Sequence, residues 1–166
     1  IYDYDNIVVL LTHLHADHIG SLGSFLSFCK NVLDKKVLLA AEEDTIVNIL
    51  DQSGVHTDKY NFTTDFKECE ADGLSIYVKR ESHATDMLCC GFIFECNGEK
   101  IYYSGDTSNV PSDILNAFLS GEIKTMYQEC TFLDTDSTSH FSLKKLCEII
   151  PYEERQRVYC MHLGDD

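Results

Sequence analysis

The run THLHADHIG, Thr12 to Gly20, limits what this chain can fold into more than any other stretch. It places His13, His15, Asp17 and His18 within six consecutive positions. It closes NIVVLLTH, a short continuous apolar run of the kind that forms a strand buried on both faces. Positions i and i+2 of an extended segment face the same side, so His13 and His15 converge on one cation. Asp17 and His18 fall on the turn into the next element, from where they reach a second ion nearby. Ala16 is small, and Gly20 lets backbone pack closely.

Two ions need more donors than this run supplies, and the rest recur just past the ends of predicted strands. His83 follows LSIYVKRES, Asp106 follows KIYYSG, and His162 follows RVYCM; His140 stands just ahead of a helix that Ser142 can cap. Donors at strand ends can meet at one edge of a sheet, where loops build sites. His56 and Asp86 have no such context and read as surface or structural residues. The assignment puts His13, His15 and His83 on one zinc, Asp17, His18 and His162 on the other, and Asp106 between them. Imidazoles and carboxylates with positions left open to water make a catalytic rather than a structural zinc site. Manganese or iron suits the same donors. Two ions about 3.5–4 Å apart would share and activate a hydroxide and clamp the attacking and leaving oxygens of a displacement.

Around these donors the pattern alternates. Apolar residues at helical spacing run from Asp17 or His18 to Leu33. KVLLAA is a buried strand, and EEDTIVNIL a short helix with acidic residues in its first turn. A strand lies near Tyr60 to Phe62, and LSIYVKR is another. LCCGFIFECNGEKIYYSGD is a hairpin turning at Asn97-Gly98. Pro111 opens a helix through about Leu119. KTMYQEC is a strand, LKKLCEII a helix that Pro151 stops, and RVYCMH a final strand. This order predicts one mixed α/β domain over residues 1–166, with helices covering sheet faces.

Composition narrows the function. The 13 Lys and Arg against 28 Asp and Glu leave a net charge of −15. Such a surface repels polyanions and lacks the basic footprint of nucleic-acid binders. No apolar run approaches the length of a membrane span, and no signal peptide is visible. The chain begins Ile1-Tyr2, and the expectation is that N-terminal structure is missing. The eight cysteines form no C-x-x-C pair and lie mostly in apolar runs, as small buried hydrophobes do. Free thiols favour a reducing cytoplasm.

THLHADHIG, the later His83, SGDT at 104–107 and MH at 161–162, in that order, resemble the metallo-β-lactamase-fold metallohydrolases. The resemblance covers nearly the whole chain. It implies an αββα sandwich of two strand-rich halves, with the metals at one edge. The family places several strands before its first histidine where this chain has only a short lead-in, so the expectation is an N-terminally truncated domain. Asp17, Asp106 and a histidine preceding the last ligand are similar to ribonuclease Z and its phosphodiesterase relatives. YQECTF, with Glu129 and Thr131, is similar to the family's HEAT segment. His140 falls where those enzymes place a histidine that assists the leaving oxygen. HFS at 140–142 replaces the usual His-Ser-Thr, and MHLGDD replaces a threonine-histidine ending. The resemblance thus implies Asp17, His140 and Glu129 as the catalytic residues. Asp17 handles a proton of the attacking hydroxide, and His140, oriented by Glu129, donates to the leaving oxygen.

Ribonuclease Z carries a tRNA-gripping arm between its third histidine and its bridging aspartate. Here that interval, His83 to Asp106, is 23 positions and holds only a hairpin. With the acidic charge, this argues against tRNA, or any nucleic acid, as partner, and for a small phosphodiester substrate. The cyclic-nucleotide phosphodiesterases of this fold, including the phage anti-Pycsar type, are one such class. The alternatives are a tRNA 3′-processing endonuclease, a thioester or lactone hydrolase of the same fold, and a non-catalytic metal-binding interaction module. Relatives are often homodimers, although no stretch marks an interface.

Overall fold

The computed structural model describes residues 4–71, 73–133 and 139–163. Ile1, Tyr2 and the last three residues of MHLGDD lie outside them. The architecture is mixed α/β, and the chain divides into two compact units, Ile1–Glu70 and Ala71–Asp166.

The first unit is a three-stranded parallel sheet of β1 (Ile7–Leu10), β2 (Val37–Ala40) and β3 (Tyr60–Thr63), in that order. Parallel strands need crossovers, and helices supply them: α1 (Ala16–Ile19) and α2 (Leu22–Leu33) before β2, and α3 (Thr45–Gln52) before β3. The helical run expected from Asp17 to Leu33 is thus two helices, interrupted at Gly20-Ser21. Glu42, Glu43 and Asp44 precede α3 instead of filling its first turn, with Asp44 at the N-cap. Leu26 and Cys29 of α2, Val37 and Leu39 of β2, Ile46 and Leu50 of α3, and Tyr60 of β3 close one core.

The second unit is a five-stranded sheet of β4 (Leu74–Arg80), β5 (Cys90–Cys96), β6 (Glu99–Tyr103), β7 (Ile123–Glu129) and β8 (Val158–Met161). The β5–β6 hairpin turns at Asn97 and Gly98, both at positive φ (52° and 80°), as a type I′ turn requires. β4 and β6 each run antiparallel to β5, whereas β6, β7 and β8 are mutually parallel. The C-terminal ends of β4, β6, β7 and β8 therefore share one edge of the sheet. Helices α4 (Ser112–Leu119) and α5 (Leu143–Ile149) contribute Ile114, Phe118 and Leu146 to a core with Tyr102, Ile123 and Met126. Ser142 caps α5 by accepting the Lys145 N–H, and the helix ends before Pro151. All eight cysteines are free thiols; five are buried, while Cys96, Cys147 and Cys160 are exposed. No helix among the described residues is long and apolar enough to cross a membrane.

Candidate metal centre

In the first unit the donors gather on the segment leaving the sheet after β1. Leu11 and Thr12 follow the strand, and the next residue, His13, is buried. Thr12 Oγ1 lies 3.0 Å from His13 Nδ1, which leaves Nε2 to face His15. His13 Nε2 and His15 Nδ1 are 3.0 Å apart, a separation that one shared hydrogen or one cation satisfies. His15 is the N-cap of α1, so Asp17 and His18 ride on its single turn. The His18 ring packs 4.1 Å from that of His13, and its Nε2 lies 3.5 Å from Asp17 Oδ2. Gly20 closes the turn where a Cβ would sit 2.6 Å from the Ala16 carbonyl oxygen, so any side chain there displaces the helix that carries Asp17.

In the second unit the donors stand at the shared edge of the sheet. His83 follows β4, Asp106 follows β6, Glu129 ends β7 and His162 follows β8. Asp106 is placed by its neighbours: Gly105 takes φ +61°, a left-handed conformation that glycine adopts without strain. The buried Ser104 hydroxyl accepts the Glu129 N–H at 2.9 Å, tying the loop to β7. His162 is itself left-handed, at φ 54°, an uncommon state for a residue with a side chain. There its Nε2 lies 3.5 Å from Asp106 Oδ2.

His83 shows that a cation fits. Its Nδ1 lies 2.7 Å from the Ser139 carbonyl and donates there, and its Nε2 faces Asp106 Oδ2 at 3.7 Å. Both groups are buried, and an imidazole nitrogen beside a carboxylate oxygen is a donor pair that zinc takes. A ligating histidine characteristically donates its other N–H to a carbonyl in this way.

The same edge carries His140. Its Nδ1 is 2.8 Å from Glu129 Oε1, while Glu129 Oε2 accepts the N–H groups of Phe141 at 3.2 Å and Thr107 at 3.4 Å. Burial raises the Glu129 pKa, and these hydrogen bonds oppose the rise. The His140 ring stacks on that of His162 at 5.5 Å, and its ligand atom lies within 4.8 Å of those of His83 and Asp106.

Each unit thus brings together the donors that fall within it: His13, His15, Asp17 and His18 in the first, and His83, Asp106, Glu129, His140 and His162 in the second. His56 pairs with Asp51 at 2.6 Å on the surface, and Asp86 is exposed. The sequence reading passed over Glu81. Its carboxyl accepts the Tyr102 hydroxyl at 2.6 Å and lies 3.2 Å from Thr107 Oγ1. Burial raises its pKa to about 7, against the opposing pull of those two hydroxyls. Its one sequence signal is an acid two places before His83, in a strand end otherwise basic.

A family model described as "Anti-Pycsar protein Apyc1" matches residues 2–166. The chain is 27% identical to the Anti-Pycsar protein Apyc1 of Bacillus phage BSP38, and 23% identical to that of Paenibacillus harenae. In both cases 95% of this chain and 68% of the relative are covered. Among solved structures it is similar to the metallo-beta-lactamase fold protein YhfI of Bacillus subtilis, with TM-score 0.68 and 18% identity over 95% of this chain and 65% of that one. Human tRNase Z, short form, gives 0.65 at 16% identity over 94% of this chain and 72% of that one. The Zn2+-bound PqqB of Methylobacterium extorquens gives 0.63 at 14% identity over 95% and 71%. The fold is that of the metallo-β-lactamases.

Proposed function

Because this chain belongs to the Anti-Pycsar protein Apyc1 family, whose fold is that of metal-dependent hydrolases, we propose that it is a dinuclear-zinc phosphodiesterase acting on a small phosphodiester such as a cyclic nucleotide. In this reading His13, His15 and His83 would hold one ion, Asp17, His18 and His162 would hold the other, and Asp106 would serve both. Bound there, the ions supply Lewis acidity, activating water at neutral pH and neutralising charge on phosphoryl oxygens.

The remaining chemistry belongs to the chain. The exposed carboxylate of Asp17 orients the attacking water and accepts its proton. His140 donates a proton to the leaving oxygen from Nε2, because Nδ1–H is committed to Glu129. Glu129, wholly buried and held by two backbone N–H groups, keeps the ring in that orientation. This pair carries the reading, since a phosphodiester has a leaving oxygen to protonate. General-acid help of this kind contributes about 10²–10⁴-fold. The β5–β6 hairpin takes up most of the interval between His83 and Asp106, which favours a small substrate over tRNA.

The test is a turnover screen of the metal-loaded chain with a 3′,5′-cyclic mononucleotide, bis(p-nitrophenyl) phosphate, a thioester and a pre-tRNA. Cleavage of the cyclic nucleotide with no pre-tRNA processing is the expected outcome. Faster thioester hydrolysis, or two equivalents of bound metal without turnover of any substrate, overturns the proposal.

A further inference from the structure

We propose that Glu81 is a positioning residue for the metal centre: by joining Tyr102 to Thr107 it fixes the spacing of His83 from Asp106. The inference rests on the reading of those two residues as ligands. Glu81 leaves β4 two places ahead of His83, and its N–H donates to the Cys89 carbonyl at 3.0 Å. One carboxyl oxygen accepts the hydroxyl of Tyr102, a fully buried residue of β6, at 2.6 Å. The other lies 3.2 Å from the hydroxyl of Thr107, which directly follows Asp106. Between these contacts, the Ser108 N–H donates to the Ser82 carbonyl at 2.6 Å, stitching the two ligand loops together by backbone.

Thr107 is held from the opposite side as well, its N–H donating to Glu129. Two acids from the ends of β4 and β7 therefore grip the residue after Asp106, and one of them also leads the chain into His83. Taking a carboxyl even partly out of water is costly, and an apolar side chain of similar volume would serve packing alone. What an apolar residue cannot do is hold two hydroxyls on two different elements in one geometry.

The experiment uses the full chain stripped of metal. Zn2+ affinity is measured by chelator competition, Co2+ ligation by its d–d absorption, and folding by circular dichroism and melting of the metal-free protein. Glu81→Ala is expected to weaken Zn2+ binding about 10–100-fold and to alter the Co2+ spectrum. Glu81→Gln keeps an acceptor for Tyr102 and a partner for Thr107, and should restore both toward wild type. Thr107→Val removes one arm and should weaken binding about 10-fold. A folded Glu81→Ala variant with unchanged Zn2+ affinity and Co2+ spectrum overturns the proposal. If that variant does not fold, unchanged affinity in Thr107→Val overturns it instead. Wild-type chain that binds metal yet turns over no substrate defeats the proposed function and leaves this inference intact. Wild-type chain that binds no metal defeats both.

Discussion

In the first unit four donors come from one short run of chain, whereas in the second they are spread along the sheet edge, after β4, after β6, at and beyond the end of β7, and after β8. The consequences differ physically. His13, His15, Asp17 and His18 are set by the local turn of α1, with Asp17 exposed and Gly20 closing the helix. His83, Asp106 and Glu129 are buried and depend on strand register, on the left-handed turns at Gly105 and His162, and on Ser104, Thr107 and Glu81. A local group needs only its own turn to be in place. A dispersed group needs the whole sheet, and it acquires buried polar partners that must all be satisfied.

The largest effect separates ligand from acid. His13→Ala, in the local group, should lose bound metal by elemental analysis. His140→Ala, in the dispersed group, should keep it and lose about 10²–10⁴-fold in turnover. Metal loss in His140→Ala would make His140 a ligand, a role its reach to His83 and Asp106 also permits.

A smaller effect tests the half-buried Glu81. The folded Glu81 pKa is raised from 4.5 to about 7, so between those values the folded chain holds a proton that the unfolded chain has released. Its contribution is complete below about pH 4.5 and is lost as pH rises to about 7. In metal-free protein, wild type should lose at most roughly 3 kcal/mol more than Glu81→Gln across this window, by denaturant titration at several pH values. Parallel pH profiles would remove Glu81 from the comparison.

The smallest effect concerns caps. Ser142 accepts the Lys145 N–H at the start of α5, so Ser142→Ala should cost about 1 kcal/mol. Ser21, at the N-cap of α2 in the first unit, makes no side-chain cap bond. Ser21→Ala should therefore leave the unfolding midpoint unchanged, and equal losses in the two variants would contradict this contrast.

Most strands were legible as compact apolar or alternating runs, as in IVVL and VLLA, and the hairpin because Asn97-Gly98 admits positive φ at both turn positions. The break between α1 and α2 was not, since Ile19, Leu22 and Leu26 keep helical spacing straight through Gly20-Ser21. The acids before α3 were misplaced by one turn, because nothing local distinguishes an N-cap Asp44 from a first-turn one. Among site residues, histidines announce themselves by rarity. Glu81 is one acid among 28 Asp and Glu, and only its contacts with the Tyr102 and Thr107 hydroxyls give it a role.

The amino-acid sequence by itself determined the donor types, their order and their place at strand ends, because spacing of two in an extended segment and apolar runs ending in histidine are local properties. Only the tertiary structure decided that β4, β6, β7 and β8 end at the same edge. It also decided that His140 hands its Nδ1 to Glu129, and that Glu81 reaches two hydroxyls on other elements. Those facts depend on strand direction and register, which link residues far apart in the chain and leave no periodic trace along it.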